Sequence, residues 1–308
     1  MAALGVDTSN YTTSVAIRCG DDVRSVKKLL PVKDGALGLR QSDAVFHHTS
    51  QLPPLLDKLF DGFEGKIEKV GVSVRPRDVE GSYMPCFLVG KAAAVAAAKA
   101  AGARYAEFSH QAGHIASALY SAGVFDELAE KKFLAFHVSG GTTEAVLVEP
   151  SAEKVFKCSL LAGSMDLKAG QAVDRVGAML GLGFPAGAHL ERLALMSNTN
   201  FKIKVPSKGA DCSFSGLENK CRTMKEKGTP QEDIALYCIE YIGTAIEYMT
   251  SCLLHKYGDL PVIYAGGVMS NSIIRKRIEK KFGGKFAAPE FSSDNALGVA
   301  LLADVVYG

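Results

Sequence analysis

The chain has no tryptophan, and its seven cysteines are an odd number that never forms a Cys-x-x-Cys pair. Scattered as Cys19, Cys86, Cys158, Cys212, Cys221, Cys238 and Cys252, they indicate neither a zinc knuckle nor a disulfide framework. Reduced thiols in a cytoplasmic protein account for them most simply. A long apolar run is also missing. The longest stretch, around Ala92–Ala103, carries Lys99 and is too short to span a bilayer, so no membrane partner is expected. The N-terminus shows no charged segment followed by an apolar one, and no signal peptide is expected there. Charge of one sign is lacking too, with 35 basic against 33 acidic residues. A net +2 permits nucleic-acid or nucleotide binding without arguing for it.

What is present is ample apolar material. With 308 residues, 47% apolar and 22% charged, the chain can build two packed domains or one large domain with a divided core. Ala3–Arg18 reads as strand, turn, strand, with apolar runs on either side of Thr8-Ser9-Asn10-Tyr11-Thr12-Thr13. The same design recurs at Phe133–Val138, Ser139-Gly140-Gly141-Thr142-Thr143 and Glu144–Glu149, the sequence mark of a duplicated domain facing a shared cleft. Between and after these hairpins the patterning predicts helices at Ser50–Phe60, Phe87–Gly102 and up to Ala122, and strands at Lys69–Val74 and Arg104–Phe108. Asp166–Ser197 reads as helix, broken at Phe184-Pro185-Ala186-Gly187. A loop-rich patch, Lys204–Leu217, precedes two more helices, then the strand Pro261–Ala265 and a helix through Lys280. Ser292-Ser293-Asp294-Asn295 is expected to cap a final helix, Ala296–Val306. The expected class is α/β, with residues 1–106 plus 294–308 as one domain and 107–293 as the other.

His110 and His114 lie four apart in the opening turns of a predicted helix, so both project from one face. Two imidazoles so placed can grip one divalent ion, although unrelated histidines have the same spacing. Each hairpin turn can aim backbone N–H groups and hydroxyls at a phosphate, as ordinary hairpin turns also can. Asp7, with Ser9 beside it, is placed to orient a water or a metal near that phosphate. Ala265-Gly266-Gly267-Val268 leaves a strand and opens a helix, where glycine lets a nucleotide approach the backbone. Two such hairpins followed by a late glycine pair match the layout of the actin, sugar kinase and chaperone ATPase superfamily. Asp174 and Glu191 add carboxylates suited to ribose hydroxyls, although Arg175 beside Asp174 equally suits an ion pair. Lys202, Lys204 and Lys208, close to Phe214, read as a solvated basic loop or a nucleic-acid patch.

Together these residues resemble the TsaD/Gcp family, the tRNA adenosine threonylcarbamoyltransferases once labelled O-sialoglycoprotein endopeptidases. The carrying motifs are Gly5-Val6-Asp7-Thr8-Ser9, His110-Gln111-Ala112-Gly113-His114, Val138-Ser139-Gly140-Gly141-Thr142-Thr143, Gly170-Gln171-Ala172-Val173-Asp174-Arg175, Phe184–Glu191, Phe214-Ser215-Gly216-Leu217, Gly266–Asn271 and Ser293-Asp294-Asn295-Ala296. The resemblance implies a two-domain actin-like fold with duplicated mixed sheets flanked by helices and a cleft between the domains. It implies that His110, His114 and Asp294 hold iron or zinc. It implies that an adenine nucleotide, ATP or threonylcarbamoyl-AMP, contacts Ser139, Gly140, Gly141, Asp174, Gly187, Glu191, Gly266, Gly267 and Asn271. Asp7 and Ser9 are the candidate catalytic residues, and His137, where a relative carries tyrosine near the metal, is either a further ligand or a strand residue pointing away from the cleft. The implied partners are tRNA and helper proteins, one of them a degenerate paralogue.

The chain also departs from the family pattern. The acidic residues that follow D-T-S in the family are Asn10-Tyr11-Thr12-Thr13, and the P-G-L loop is Pro76-Arg77-Asp78-Val79-Glu80. Thr142 stands for histidine or asparagine, and Pro185-Ala186-Gly187 for P-G-G. A divergent paralogue is the expectation, with O-carbamoyl transfer to a small molecule or a non-catalytic nucleotide-binding scaffold as alternatives. Proteolysis is not expected, because HxxGH lacks the glutamate that serves as general base in HExxH.

Overall fold

Ala2–Asp7 is buried along its whole length, as a strand covered on both faces must be. In the computed structural model, which describes residues 2–9, 11–31, 39–288 and 296–308, it forms β1. It is followed by β2 (Thr12–Cys19), β3 (Asp22–Leu29), α1 (Gln41–Phe60), β4 (Ile67–Arg75), α2 (Phe87–Ala101), β5 (Arg104–Ser109), α3 (His110–Ser121) and α4 (Phe125–Leu128). The second set is β6 (Phe133–Val138), β7 (Thr143–Ser151), β8 (Val155–Gly163), α5 (Ala169–Met179), α6 (Gly187–Ala194), β9 (Ser207–Lys208), β10 (Asp211–Cys212), α7 (Ser215–Glu226), α8 (Gln231–Tyr257), β11 (Val262–Ala265), α9 (Ser272–Phe282) and β12 (Lys285–Phe286). The last helix is α10 (Leu297–Val306).

The residues divide into two compact units. Unit 1 is Met1–Lys131, Glu149–Cys158 and Ser293–Gly308, and unit 2 is Lys132–Val148 and Ser159–Ser292. Each centres on a five-stranded mixed sheet, in the orders β3-β2-β1-β4-β5 and β12-β11-β6-β7-β8. β1 pairs antiparallel with β2 and parallel with β4, and β6 pairs antiparallel with β7 and parallel with β11. The duplication expected from the two hairpins is therefore a duplication of sheet topology. Edge strand β3 escapes the sequence reading because it is mostly exposed and carries Arg24, Lys27 and Lys28, charge that discourages pairing with another chain.

In unit 1, α10 lies almost against bare backbone. A Cβ added at Gly5 would stand 2.1 Å from the Ala296 carbonyl oxygen, and one at Gly71 2.0 Å from that of Val299. One at Gly298 would stand 1.8 Å from the Gly113 carbonyl oxygen on α3. Gly113 of the histidine motif is thus a helix-crossing residue. Farther along α10, Asp304 accepts 2.7 Å from Nζ of buried Lys69 and also pairs with Arg18. The Ser14 hydroxyl oxygen accepts from the Ala296 N–H at 2.8 Å.

Helix α1 starts at Gln41 rather than near Ser50, because polar residues interrupt its buried stripe of Ala44, His48, Gln51, Leu52, Leu55 and Leu59. Gln51 Nε2 donates to the Leu29 carbonyl, so its Oε1 takes the Thr13 hydroxyl at 2.9 Å. The Thr13 oxygen is then left to accept from His48 Nδ1, 2.8 Å away. The ring is neutral, and its Nε2 has no hydrogen-bond partner among the described residues. Burial pushes the His48 pKa down from 6.5 to about 4, against the opposing pull of the Asp7 charge.

Two predictions follow from this packing. Gly71→Ala should cost about 3 kcal/mol, read as a lower denaturant midpoint at unchanged m-value; an unmoved midpoint would contradict the close approach of α10. Between pH 6.5 and about 4 the unfolded chain binds a proton at His48 that the folded chain refuses. The stabilisation from neutral His48 is complete above pH 6.5 and is lost as pH falls, by about 1.4 kcal/mol per pH unit at the steepest. His48→Asn should flatten the stability–pH slope over that interval, and identical slopes for the two proteins would refute this reading.

Candidate functional site

The unit 1 residues gather where β1 ends and α3 begins. Asp7 is buried; its carboxylate accepts from the Ser9 N–H at 3.0 Å and the Ser9 hydroxyl at 3.2 Å. Its Oδ2 also lies 2.9 Å from His110 Nδ1. A carboxylate on Nδ1 fixes the tautomer and leaves Nε2 as the lone-pair nitrogen, the usual support for a metal-binding imidazole. The His110 and His114 rings are 4.3 Å apart, edge to face, on one side of α3. The two histidines and their carboxylate support fit a divalent ion.

Asp294 lies outside the described residues, and among those described no cluster of three histidine, cysteine or acidic residues is placed to hold a metal. His137 is on β6 in unit 2, opposite Glu144 on β7 and Ala265 on β11.

The substituted loop after β4 has a visible task. Asp78 takes two hydrogen bonds from Arg75 and one from the Ser109 hydroxyl at 2.9 Å. Ser109 in turn caps α3 by accepting from the Ala112 N–H. Asp78 therefore braces the first turn of the histidine helix, a role that no motif in the sequence announced.

In unit 2, the expected nucleotide residues converge at the carboxyl ends of the parallel strands β6 and β11. The Ser139–Thr142 turn closes through Ser139 N–H to the Thr142 carbonyl at 2.7 Å, and α5 abuts it, with the Gly170 N–H on the Ser139 carbonyl at 3.1 Å. A Cβ at Gly170 would meet Gly140 N at 2.6 Å, so glycine there admits the hairpin to the helix start. Gly266 has φ +102° and a Cβ would strike the Val138 carbonyl, so it too is required by the fold.

Four other glycines are different. Gly140, Gly141, Gly187 and Gly267 are exposed, have no left-handed φ, and a Cβ on any of them would meet nothing within 4 Å among the described residues, as is also true of Gly216 on α7. Neither packing nor backbone conformation explains them.

The carboxylates are half committed. Asp174 Oδ1 accepts from the Ala186 N–H at 2.9 Å, holding the loop after α5. Glu191 Oε1 accepts from the N–H and hydroxyl of Ser272 at the start of α9. In each, the second oxygen has no partner among the described residues. Asn271 caps α9 through its Oδ1, which accepts from Ile273 and Ile274. The ion pair expected as an alternative for Asp174 is not formed, because Arg175 pairs with Glu218.

Sequence reasoning missed Asp166. Burial raises its pKa, but hydrogen bonds from Ser213, Ser215 and the Phe214 N–H outweigh that and hold it well below the usual carboxylate range. It fastens the Phe214-Ser215-Gly216-Leu217 element at the start of α7. Its signal was faint, a single aspartate 47 residues before the serine it holds.

Among the described residues, no helix is long and apolar enough to cross a membrane. The solved structures most like the chain include full-length HypF in its phosphate- and nucleotide-bound form, at TM-score 0.61 and 14% identity, covering 99% of this chain and 55% of that one. Another is the activator of the 2-hydroxyisocaproyl-CoA dehydratase from Clostridium difficile with bound ADPNP, at TM-score 0.54 and 17% identity, covering 100% and 96%. These likenesses show the fold, the actin-like one expected from the sequence. Similar relatives include the tRNA N6-adenosine threonylcarbamoyltransferases of Thermosipho africanus, 28% identical over all of this chain and 94% of the relative, and of Thermus thermophilus, 30% identical over 98% and 92%. The family model described as TsaD, tRNA N6-adenosine threonylcarbamoyltransferase, matches residues 37–301. The chain belongs to that family.

Proposed function

We propose that this protein is a divergent threonylcarbamoyltransferase, moving the group from its AMP adduct to the adenosine amine beside the anticodon of tRNA. The observation that carries the reading is the set of four open glycines around the carboxyl ends of β6 and β11. Bare backbone with no internal reason to be bare suits close approach of a nucleotide's phosphate and ribose.

Gly140 and Gly141 offer backbone N–H groups to the phosphate, and Ser139, whose own N–H closes the turn on Thr142, offers its hydroxyl, beside the positive end of the α5 dipole. Asp174 and Glu191 each use one oxygen to hold the fold and present the other to a ribose hydroxyl. Gly187, Gly266, Gly267 and Asn271 form the backbone floor against which the nucleoside rests.

His110 and His114, with Asp294, would hold the metal, iron or zinc. When bound, it supplies Lewis-acid polarisation of the carbamoyl carbonyl or phosphate. Asp7 orients His110 through Nδ1, and Ser9, hydrogen-bonded to the same carboxylate, keeps Asp7 in place. The altered loop at Asn10–Thr13, where the family carries carboxylates, marks the divergence and bears on helper proteins and acceptor rather than on the adenylate.

Expression with the helper proteins should rescue a strain depleted of its tRNA threonylcarbamoyltransferase, and Asp174→Ala should abolish the rescue. No rescue by the unaltered protein would overturn the reading. Metal content should fall in both His110→Ala and His114→Ala, and an unchanged content in the two variants would remove the metal from it. Gly140→Ala should leave stability within about 0.5 kcal/mol of the parent while weakening adenine-nucleotide binding in calorimetry. Equal binding would show that the open glycines face no ligand.

A further inference from the structure

The loop joining α5 to α6 is firmly held except for one side chain. Leu182 donates its N–H to the Gly177 carbonyl, the Ala186 N–H goes to Asp174, and Ala186 is buried where the missing side chain of Gly177 makes room. Phe184, between these anchors, is 86% exposed, more than any other large hydrophobic residue among those described. An aromatic ring on a pinned loop, with its face in water, gains nothing from the fold.

Its surroundings offer one guanidinium and one imidazole. His189 rises from the first turn of α6 and Arg192 from its last, and a Cβ on Gly183 would be 3.9 Å from His189 Nε2. Arg192 Nη2 donates to His189 Nδ1 at 2.7 Å, which leaves Nε2 of the ring to present an N–H. The guanidinium has no carboxylate partner among the described residues. The nearest acids of the same segment, Asp174 and Glu191, are turned to Ala186 and Ser272.

An exposed ring beside an uncompensated guanidinium and an imidazole donor is the chemistry that receives an unstacked base and its phosphate. We infer that Phe184, Arg192 and His189 form a contact for single-stranded RNA, Phe184 stacking a loop base and Arg192 meeting a backbone phosphate. This rests on the tRNA-modifying reading above and adds to it the surface that receives the anticodon loop. Phe184 and Arg192 are positioning residues here, since neither is placed at the reacting atoms.

The probe is an unmodified tRNA transcript with adenosine beside the anticodon, titrated into the full-length protein with its helper proteins and followed by anisotropy over a range of salt. Phe184→Ala should weaken binding about tenfold, and Phe184→Trp should retain the parent affinity. Arg192→Gln should flatten the plot of log affinity against log salt by about 0.7. Adenine-nucleotide affinity and melting temperature should hold in all three variants. Parent-like affinity and salt slope in Phe184→Ala and Arg192→Gln would overturn the inference while leaving the transferase reading intact. Failure of the unaltered protein to bind the transcript would bring down the reading and the inference together. Unchanged RNA binding with loss of a helper protein would overturn it in favour of a protein-docking surface.

Discussion

Unit 1 depends on a helix pressed against glycine. The α10 backbone meets β1 at Gly5, β4 at Gly71 and α3 at the Gly113–Gly298 crossing, at separations that leave no room for a single methyl group. Such contact fixes α3 relative to the sheet, and α3 carries His110 and His114. The Asp304 pairs with Lys69 and Arg18 hold the far half of the same helix against β2 and β4. The position of the histidine pair follows from small residues far from it in sequence.

Unit 2 uses glycine in two ways. Gly170 and Gly266 are demanded by the fold, one by the close hairpin and one by its left-handed φ and the Val138 carbonyl. Gly140, Gly141, Gly187 and Gly267 are demanded by nothing among the described residues. The half-engaged carboxylates Asp174 and Glu191 show the same division of labour within one side chain, with one oxygen fastening a loop and the other left over.

Much of this was legible in the sequence. The duplicated hairpins foretold the two sheets, because buried central strands flanked by small polar turns leave a plain trace. Helices α2, α3, α8 and α10 carried enough apolar residues to be seen. Harder to see were β3, whose residues are exposed and charged, and the first half of α1, whose buried face holds His48 and Gln51. The site was legible as motifs rather than as geometry. That Asp7 supports His110, that Asn271 caps a helix, and that Asp78 and Asp166 brace two others depends on contacts between residues far apart in the chain. Asp294 lies outside the described residues.

The late position of α10 has a consequence for how the molecule comes together. Gly5 and Ala296 touch across nearly the whole chain, whereas the larger part of unit 2 is one continuous stretch, Ser159–Ser292. Contacts of high sequence separation form slowly, and during synthesis the chain emerges from its N-terminus. The first sheet must therefore wait, its glycine-lined face uncovered, until the last helix has left the ribosome. Unit 2 meets no such delay, and the half of the molecule that carries His110 and His114 is the half that matures last.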